Sequence, residues 1–393
     1  MSVGRSLALL LLVALAACAP ILQPPDRAVV RSVAFTDLPG WTADAHHEAL
    51  PALAKSCAGL TQRAPAHDSE IGRLAGSLDV WRAICAEAAG LPASEGAAAR
   101  AFFERRFRPV QVLNNDRPTG LFTGYYEAEL KGSRTRSPRF AVPLYRRPPD
   151  LVSVELGQFR RSLQGQRIAG RIERGTLRPY AARGEIDSGA LAGRGLELVW
   201  VDSAVDAFFL HIQGSGRVIM DDGRVVRVGF DGQNGHEYVT IGRELLARGE
   251  LERENVTMQS IRAWLAANPA RAAEIMALNP SYIFFRELPG EGPIGAQGVA
   301  LTSGRSLAVD RTHFPLGLPV WVDLRQPDLR PADPAGGLVR RLMIAQDTGG
   351  AIRGPVRGDV FWGYGAAAAD IAGRMKAEGA YYFLVPRGGE AGS

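Results

Sequence analysis

The chain has 393 residues, of which 46% are hydrophobic and 22% charged, with a net charge of +5. That balance fits a globular protein with room for two or three domains and excludes a disordered or fibrous chain. Basic residues such as Arg134, Arg136, Arg139, Arg146 and Arg147 suit either plain solvation or an anionic polymer. No nucleic-acid motif accompanies them, so nucleic acid is not an expected partner.

Arg5 precedes an unbroken apolar run from Leu7 to Ala17. The run is shorter than the roughly 20 residues a bilayer span needs, so residues 1–17 read as a signal peptide. Its end, Leu15-Ala16-Ala17-Cys18, resembles a bacterial lipobox. That implies lipidation of Cys18 and, with Ala19 following, an outer-membrane anchor facing the periplasm. Residues 18–40 then form a tether. In such an oxidising compartment Cys57 and Cys85 are expected to bridge, which is worth about 3 kcal/mol. There is no C-x-x-C, the six histidines are scattered, and His46-His47-Glu48 is not H-E-x-x-H. No metal and no cofactor is expected.

Residues 41–119 are helical by spacing. Apolar residues recur at three and four over Ala43–Leu60, over Ser69–Ala89 (Ile71, Leu74, Leu78, Trp81, Ile84, Cys85) and over Ala97–Phe107. Residues 120–240 are rich in Gly, Pro and short β-type runs at Leu121–Leu130, Phe140–Tyr145, Leu196–Val201, Ala207–Ile212, Arg217–Met220 and Val225–Phe230. Asp221-Asp222-Gly223 is the turn between the last two. Helical signals return at Ile241–Arg248 and Ser260–Leu278, the latter divided at Asn268-Pro269. From Tyr282 to 388 the chain is β again, with one helix at Ala366–Gly379, which suggests a small closed barrel. The fold class is α+β, mainly β with helices.

Two carboxylates, Asp347 and Asp359, lie in the glycine-rich stretch 343–365, and Phe361, Trp362 and Tyr364 follow the second. Glycines let the backbone turn tightly or lie against a ligand. Aromatic rings beside a carboxylate offer a stacking surface and lower the local dielectric, as an acid acting on a sugar needs. Asp347-Thr348-Gly349 is also the aspartic-protease triplet, but that chemistry needs a second lobe. The surroundings of Asp187-Ser188-Gly189 do not repeat those at 343–353. Ser215 sits in G-S-G rather than the G-x-S-x-G of a nucleophile elbow. In Leu121–Glu127 a Thr-Gly turn is expected to present Tyr125 and Tyr126. Neighbours in a strand face opposite ways, so at most one of them lines a groove.

Six motifs occur in order: G-Y-Y-E at 124–127, H-I-Q-G-S-G at 211–216, N-G-H at 234–236, N-P-S-Y-I-F-F at 279–285, G-R-S-L-A-V-D at 304–310 and D-T-G-G-A-I-R-G at 347–354. Together they resemble the membrane-bound lytic murein transglycosylase A family from about Gly120 to Arg387. The resemblance implies a double-psi β-barrel domain built from both ends of the chain, 41–119 with 241–388, and a smaller inserted β-domain at 120–240. Glycan strands of peptidoglycan would bind between the two. It implies a single catalytic acid and base, matched by Asp359 with Asp347 as the alternative. Asp347 and Asp310 would be supporting groups. Thr123, Gly124, Tyr125, Gln213, Gly214, Ser215, Tyr282 and Trp362 are the expected substrate-binding residues. The partners implied are peptidoglycan, the membrane through the lipid, and other cell-wall enzymes. A non-catalytic glycan-binding lipoprotein and a hydrolase leaving reducing ends remain the alternatives, which tests on sacculi and product mass separate.

Overall fold

One strand runs through the chain's main hydrophobic core and on into a core of the insert. The computed structural model describes residues 25–388 except 66, 93, 164–165, 291, 327–336 and 350. The signal peptide, Cys18 and the start of the expected tether therefore lie outside the described residues. The tether is shorter than expected, because β1 (Ala28–Ser32) pairs antiparallel with β2 (Phe107–Asn114). Between them lie α1 (Leu50–Leu60), α2 (Leu78–Ala89) and α3 (Gly96–Arg106). The second expected helix is broken before α2 because the Ser77 hydroxyl accepts from the Val80 N–H and so starts a new helix. Cys57 and Cys85 are bonded and tie α1 to α2.

The strand β3 (Gly120–Ser133) follows. The expected Thr-Gly turn is absent: Thr123 and Gly124 continue straight through it. The inserted region carries β4 (Val142–Tyr145), a separate three-stranded sheet of β5 (Val152–Glu155), β6 (Arg167–Glu173) and β7 (Thr176–Arg178), then β8 (Glu197–Val201), β9 (Ser215–Met220) and β10 (Val225–Gln233). The expected strand at 207–212 is instead the helix α4 (Ala204–Gln213). Its apolar run has no decisive period, but its ends are marked. The Ser203 hydroxyl accepts from the Asp206 N–H, and Gly214 closes it at φ 78°.

The helices α5 (Ile241–Ala247), α6 (Met258–Ala267) and α7 (Pro269–Ala277) come next, the last two divided at Asn268-Pro269 as their sequence requires. The strand expected to open the barrel, β11 (Ile283–Glu287), pairs with β10 in the insert sheet instead. The barrel strands are β12 (Ser306–Val309), β13 (Pro319–Arg325), β14 (Leu338–Asp347), β15 (Arg357–Tyr364) and β16 (Lys376–Pro386), with α8 (Gly365–Arg374) before the last. Their pairings form a closed ring: β3 with β15, then β12, β14, β13 and β16, and β16 back onto β3.

The main core fills this ring and continues under the N-terminal helices through Trp81, Phe102, Phe107, Phe122, Phe314, Trp321 and Tyr381. Buried Arg305 clamps the two parts, donating to both carboxylate oxygens of Asp44 at 2.8 and 3.0 Å and to Glu48 at 2.7 Å. A second core, with Leu130, Leu144, Leu210, Val218 and Phe285, lies in the insert.

Candidate active site

β3 and β15 run parallel with Thr123 opposite Asp359. Side chains two apart share a strand face. Thr123 and Tyr125 from β3 therefore meet Arg357, Asp359 and Phe361 from β15. The Thr123 hydroxyl donates to Asp359 Oδ1 at 2.7 Å and accepts from Arg357 Nη2 at 2.8 Å. The Tyr125 ring packs on Phe361 with centroids 5.3 Å apart, and its hydroxyl donates to Asp347 Oδ2 at 2.8 Å. Asp347 Oδ1 accepts the N–H groups of Ala296 and Thr348 at 2.8 and 2.9 Å.

These contacts act on protonation. Burial pushes the Asp359 carboxyl from an ordinary 3.8 up to about 6, with the negative charge of Asp347 adding to the rise. The Thr123 hydrogen bond and the Arg357 guanidinium oppose it without cancelling it. Burial likewise raises the Tyr125 phenol well above its usual value, aided by both carboxylates. Asp359 Oδ1 is occupied by Thr123, and Oδ2 has no protein partner among the described residues.

Asp310 stands apart from this cluster. It accepts the Gly354 N–H at 2.7 Å and the Thr312 N–H and hydroxyl at 2.9 and 2.7 Å. Burial alone would raise its pKa, but these bonds and nearby His313 hold it below the ordinary carboxylate value. Its contact is mechanical: it fixes Gly354, at φ 104°, in the loop that feeds β15. The buried Tyr381 hydroxyl fixes the same loop by donating to the Pro355 carbonyl.

The remaining expected residues divide. Gln213, Gly214 and Ser215, at the end of α4 and the start of β9, line an open cleft of about 660 Å³ together with Phe230, Arg286 and Ile294. Ile294 lies two residues along the chain from Ala296, whose N–H donates to Asp347. Gln213 Oε1 is buried there without a protein partner among the described residues. Trp362 faces away from Asp359 by strand alternation. Its Nε1 lies 3.2 Å from Met375 Sδ and its ring lies over Gly124, where an added Cβ would stand 2.7 Å from it. Gly124 and Trp362 thus pack on each other behind the site. Tyr282 is 2% exposed and sits in the aromatic core of the insert, with its ring 4.1 Å from that of His211. Tyr126 points opposite to Tyr125, its hydroxyl 3.7 Å from Met258 Sδ.

Sequence reasoning missed Arg357. The signal was its place two residues before Asp359, on the same strand face. Also missed was Glu127, whose wholly buried side chain accepts from Arg217 at 2.9 Å and Arg227 at 3.2 Å where β3 passes from ring to insert. Among the described residues no group of three or more His, Cys, Asp or Glu is placed to hold a metal. No described helix is long and apolar enough to cross a membrane.

Two family models match the chain: the MltA specific insert domain over residues 121–286 and the 3D domain over 305–385. A curated relative, the membrane-bound lytic murein transglycosylase A of Escherichia coli strain K12, is 33% identical over 254 residues. That alignment covers 64% of this chain and 62% of the relative's length. The crystal structure of MltA from Neisseria gonorrhoeae superposes with a TM-score of 0.78 at 35% identity, covering 92% of each chain. That of Escherichia coli MltA with bound chitohexaose superposes with a TM-score of 0.61 at 25% identity, covering 93% of each.

Proposed function

The chain belongs to the membrane-bound lytic murein transglycosylase A family, and from that premise we propose that it cleaves peptidoglycan between N-acetylmuramic acid and N-acetylglucosamine without water. The observation that carries the proposal is Asp359: a largely buried carboxyl held by Thr123, with its pKa pushed up to about 6 and its second oxygen without a protein partner among the described residues. A general acid works best with a pKa near the operating pH, and this group is half neutral at about pH 6.

Ordinary glycosidases need two carboxylates because water must be activated or a covalent intermediate formed. Here one suffices. Neutral Asp359 gives the Oδ2 proton to the glycosidic oxygen as the C1–O4 bond breaks. The resulting carboxylate then takes the proton of the C6 hydroxyl as that oxygen bonds to C1. The products are a free 4-hydroxyl and a 1,6-anhydromuramic end, and the acid is regenerated. The attack lies within one sugar, so no second reactant must be positioned. Asp347, held by Tyr125, raises the pKa of Asp359 and lends negative charge to the positive C1 centre. Asp310 acts by fixing the loop. The cleft at Gln213–Ser215 takes the neighbouring sugars, whose apolar faces suit the exposed side chains of Ile212, Phe230 and Ile294. Bound chitohexaose in the Escherichia coli relative agrees with a glycan ligand. Lipidation of Cys18 would hold the enzyme on the outer membrane, facing its polymer and other cell-wall enzymes.

The test is digestion of purified sacculi followed by mass spectrometry. Lytic transglycosylation gives muropeptides lighter by one water than hydrolysis does. Reducing ends, or full activity in Asp359→Asn, would reject the assignment.

A further inference from the structure

The insert holds a cavity of about 670 Å³ separate from the Asp359 cluster, between α4, α7, β4, β8 and a kinked turn at Ile186–Ala190. Kinked at Gly189, with φ 104°, this turn brings Asp187, Ser188 and Gly189 to the cavity wall.

Its polar groups are incompletely matched. Arg183, 3% exposed, spends Nε and Nη2 on the carbonyls of Asn279 and Ser281 at 3.2 and 2.7 Å and lies over the rings of Phe208 and Tyr282. Nη1 of Arg183 has no protein partner among the described residues. His211, 6% exposed, accepts the Ile283 N–H on Nδ1 at 3.1 Å, so the ring proton is on Nε2, and that N–H has no protein partner among the described residues either. Burial and Arg183 keep this imidazole neutral. Arg136, stacked over Trp200 at 5.6 Å, and Asp187, which faces the positive field of Arg183, are exposed at the cavity's mouth, and Glu197 is half-buried beside them; none of the three forms a close ion pair among the described residues. Buried polar groups are normally satisfied. The buried Arg183 and His211 therefore each keep a donor for a ligand, and accessible charges of both signs at the mouth, over an aromatic floor, suit one that carries both signs.

We propose that this cavity is a second binding site, for a short zwitterionic peptide, and, resting on the function proposed above, that the peptide is the amine- and carboxylate-bearing stem of the same polymer. Arg136 and the free Nη1 of Arg183 receive carboxylate, Asp187 and Glu197 receive ammonium, and Tyr145, Tyr282 and Trp200 cover the aliphatic parts. The connection to the glycan cleft is His211, which lines both cavities. A sugar in the cleft and a peptide in the cavity therefore lie on either side of one imidazole.

Titration of the glycan-free tripeptide L-alanyl-γ-D-glutamyl-diaminopimelate into the full chain, followed by calorimetry, tests this. Saturable binding is expected, weakened at least tenfold in the double variant Arg136→Ala, Asp187→Asn, with cleavage of peptide-free glycan and the melting temperature unchanged. No saturation at millimolar tripeptide, or equal affinity in the double variant, would overturn the site. Binding is read without turnover. A chain that binds the tripeptide yet leaves sacculi intact would reject the lytic function and leave the zwitterion site standing.

Discussion

Thr123 and Asp359 are register partners across two parallel strands, and the hydroxyl of the first donates to the carboxylate of the second at 2.7 Å. Because the same hydroxyl accepts from Arg357, a cation reaches the acid through an intermediary. The acid is thus held in place while burial, the larger effect, keeps its pKa high.

Asp359 should cost the fold stability in return for its function. Its native pKa of about 6 exceeds the ordinary 3.8. Between those pH values the native state binds more protons than the unfolded one, so stability falls as pH rises through the window. The deficit is complete above about pH 6, at about 3 kcal/mol, and absent below about pH 3.8. Asp359→Asn should therefore lower lytic activity about a thousandfold while raising the melting temperature at pH 8 and leaving it unchanged near pH 3.5. Thermal unfolding at the two pH values checks this.

The pH dependence of kcat/KM should fall above about pH 6, where the acid loses its proton. Two substitutions move that limb in opposite directions. Asp347→Asn removes the anion that raises the pKa, so the limb shifts to lower pH. Arg357→Met removes the cation that lowers it, so the limb shifts to higher pH. Shifts in the same direction would show that the two residues act on folding rather than on the proton.

Gly124→Ala tests the packing behind the site. The new Cβ would meet Trp362 at 2.7 Å and the Ala372 backbone at 3.0 Å. Overpacking of this kind costs about 1–3 kcal/mol. Displacing β15 through Trp362 should also lower kcat more than it raises KM, which steady-state kinetics on a soluble glycan would separate.

Glu127→Gln should destabilise more than any surface change. The side chain is fully covered and takes both Arg217 and Arg227. Removing one member of a buried ionic group costs about 3–5 kcal/mol, so denaturant midpoints should fall sharply, while Glu129→Gln, exposed two residues on, should leave them unchanged.

Periodicity made the N-terminal helices, the Asn268-Pro269 break and most barrel strands legible, because their apolar spacing matches what they bury. Asp359, Asp347 and Asp310 stood out through motifs, and strand alternation correctly separated Tyr125 from Tyr126. Helix α4 was misread as a strand because its run Ala-Phe-Phe-Leu-His-Ile is buried on several sides, which erases the period. Its caps at Ser203 and Gly214 were the better evidence. The resemblance implied that Trp362 and Tyr282 bind substrate in the groove, but the first packs on Gly124 behind the site and the second lies beside His211 in the insert, away from the Asp359 cluster. No local pattern reveals that Arg357 reaches Asp359 through Thr123, since that contact depends on the pairing of strands more than 200 residues apart.

The double membership of β3 limits how this protein can be cut. Its first half is a stave of the ring, paired with β15 and β16, and its second half is laddered to β8 and β9 of the insert. Excising 121–286 as a cassette would open the ring along two unpaired strand edges, the configuration that templates aggregation. Transplanting the insert alone would carry away Thr123 and Tyr125, leaving Asp359 without its clamp. Chimaeras between relatives should therefore exchange sequence at the tips of the insert and keep β3 with its own β15.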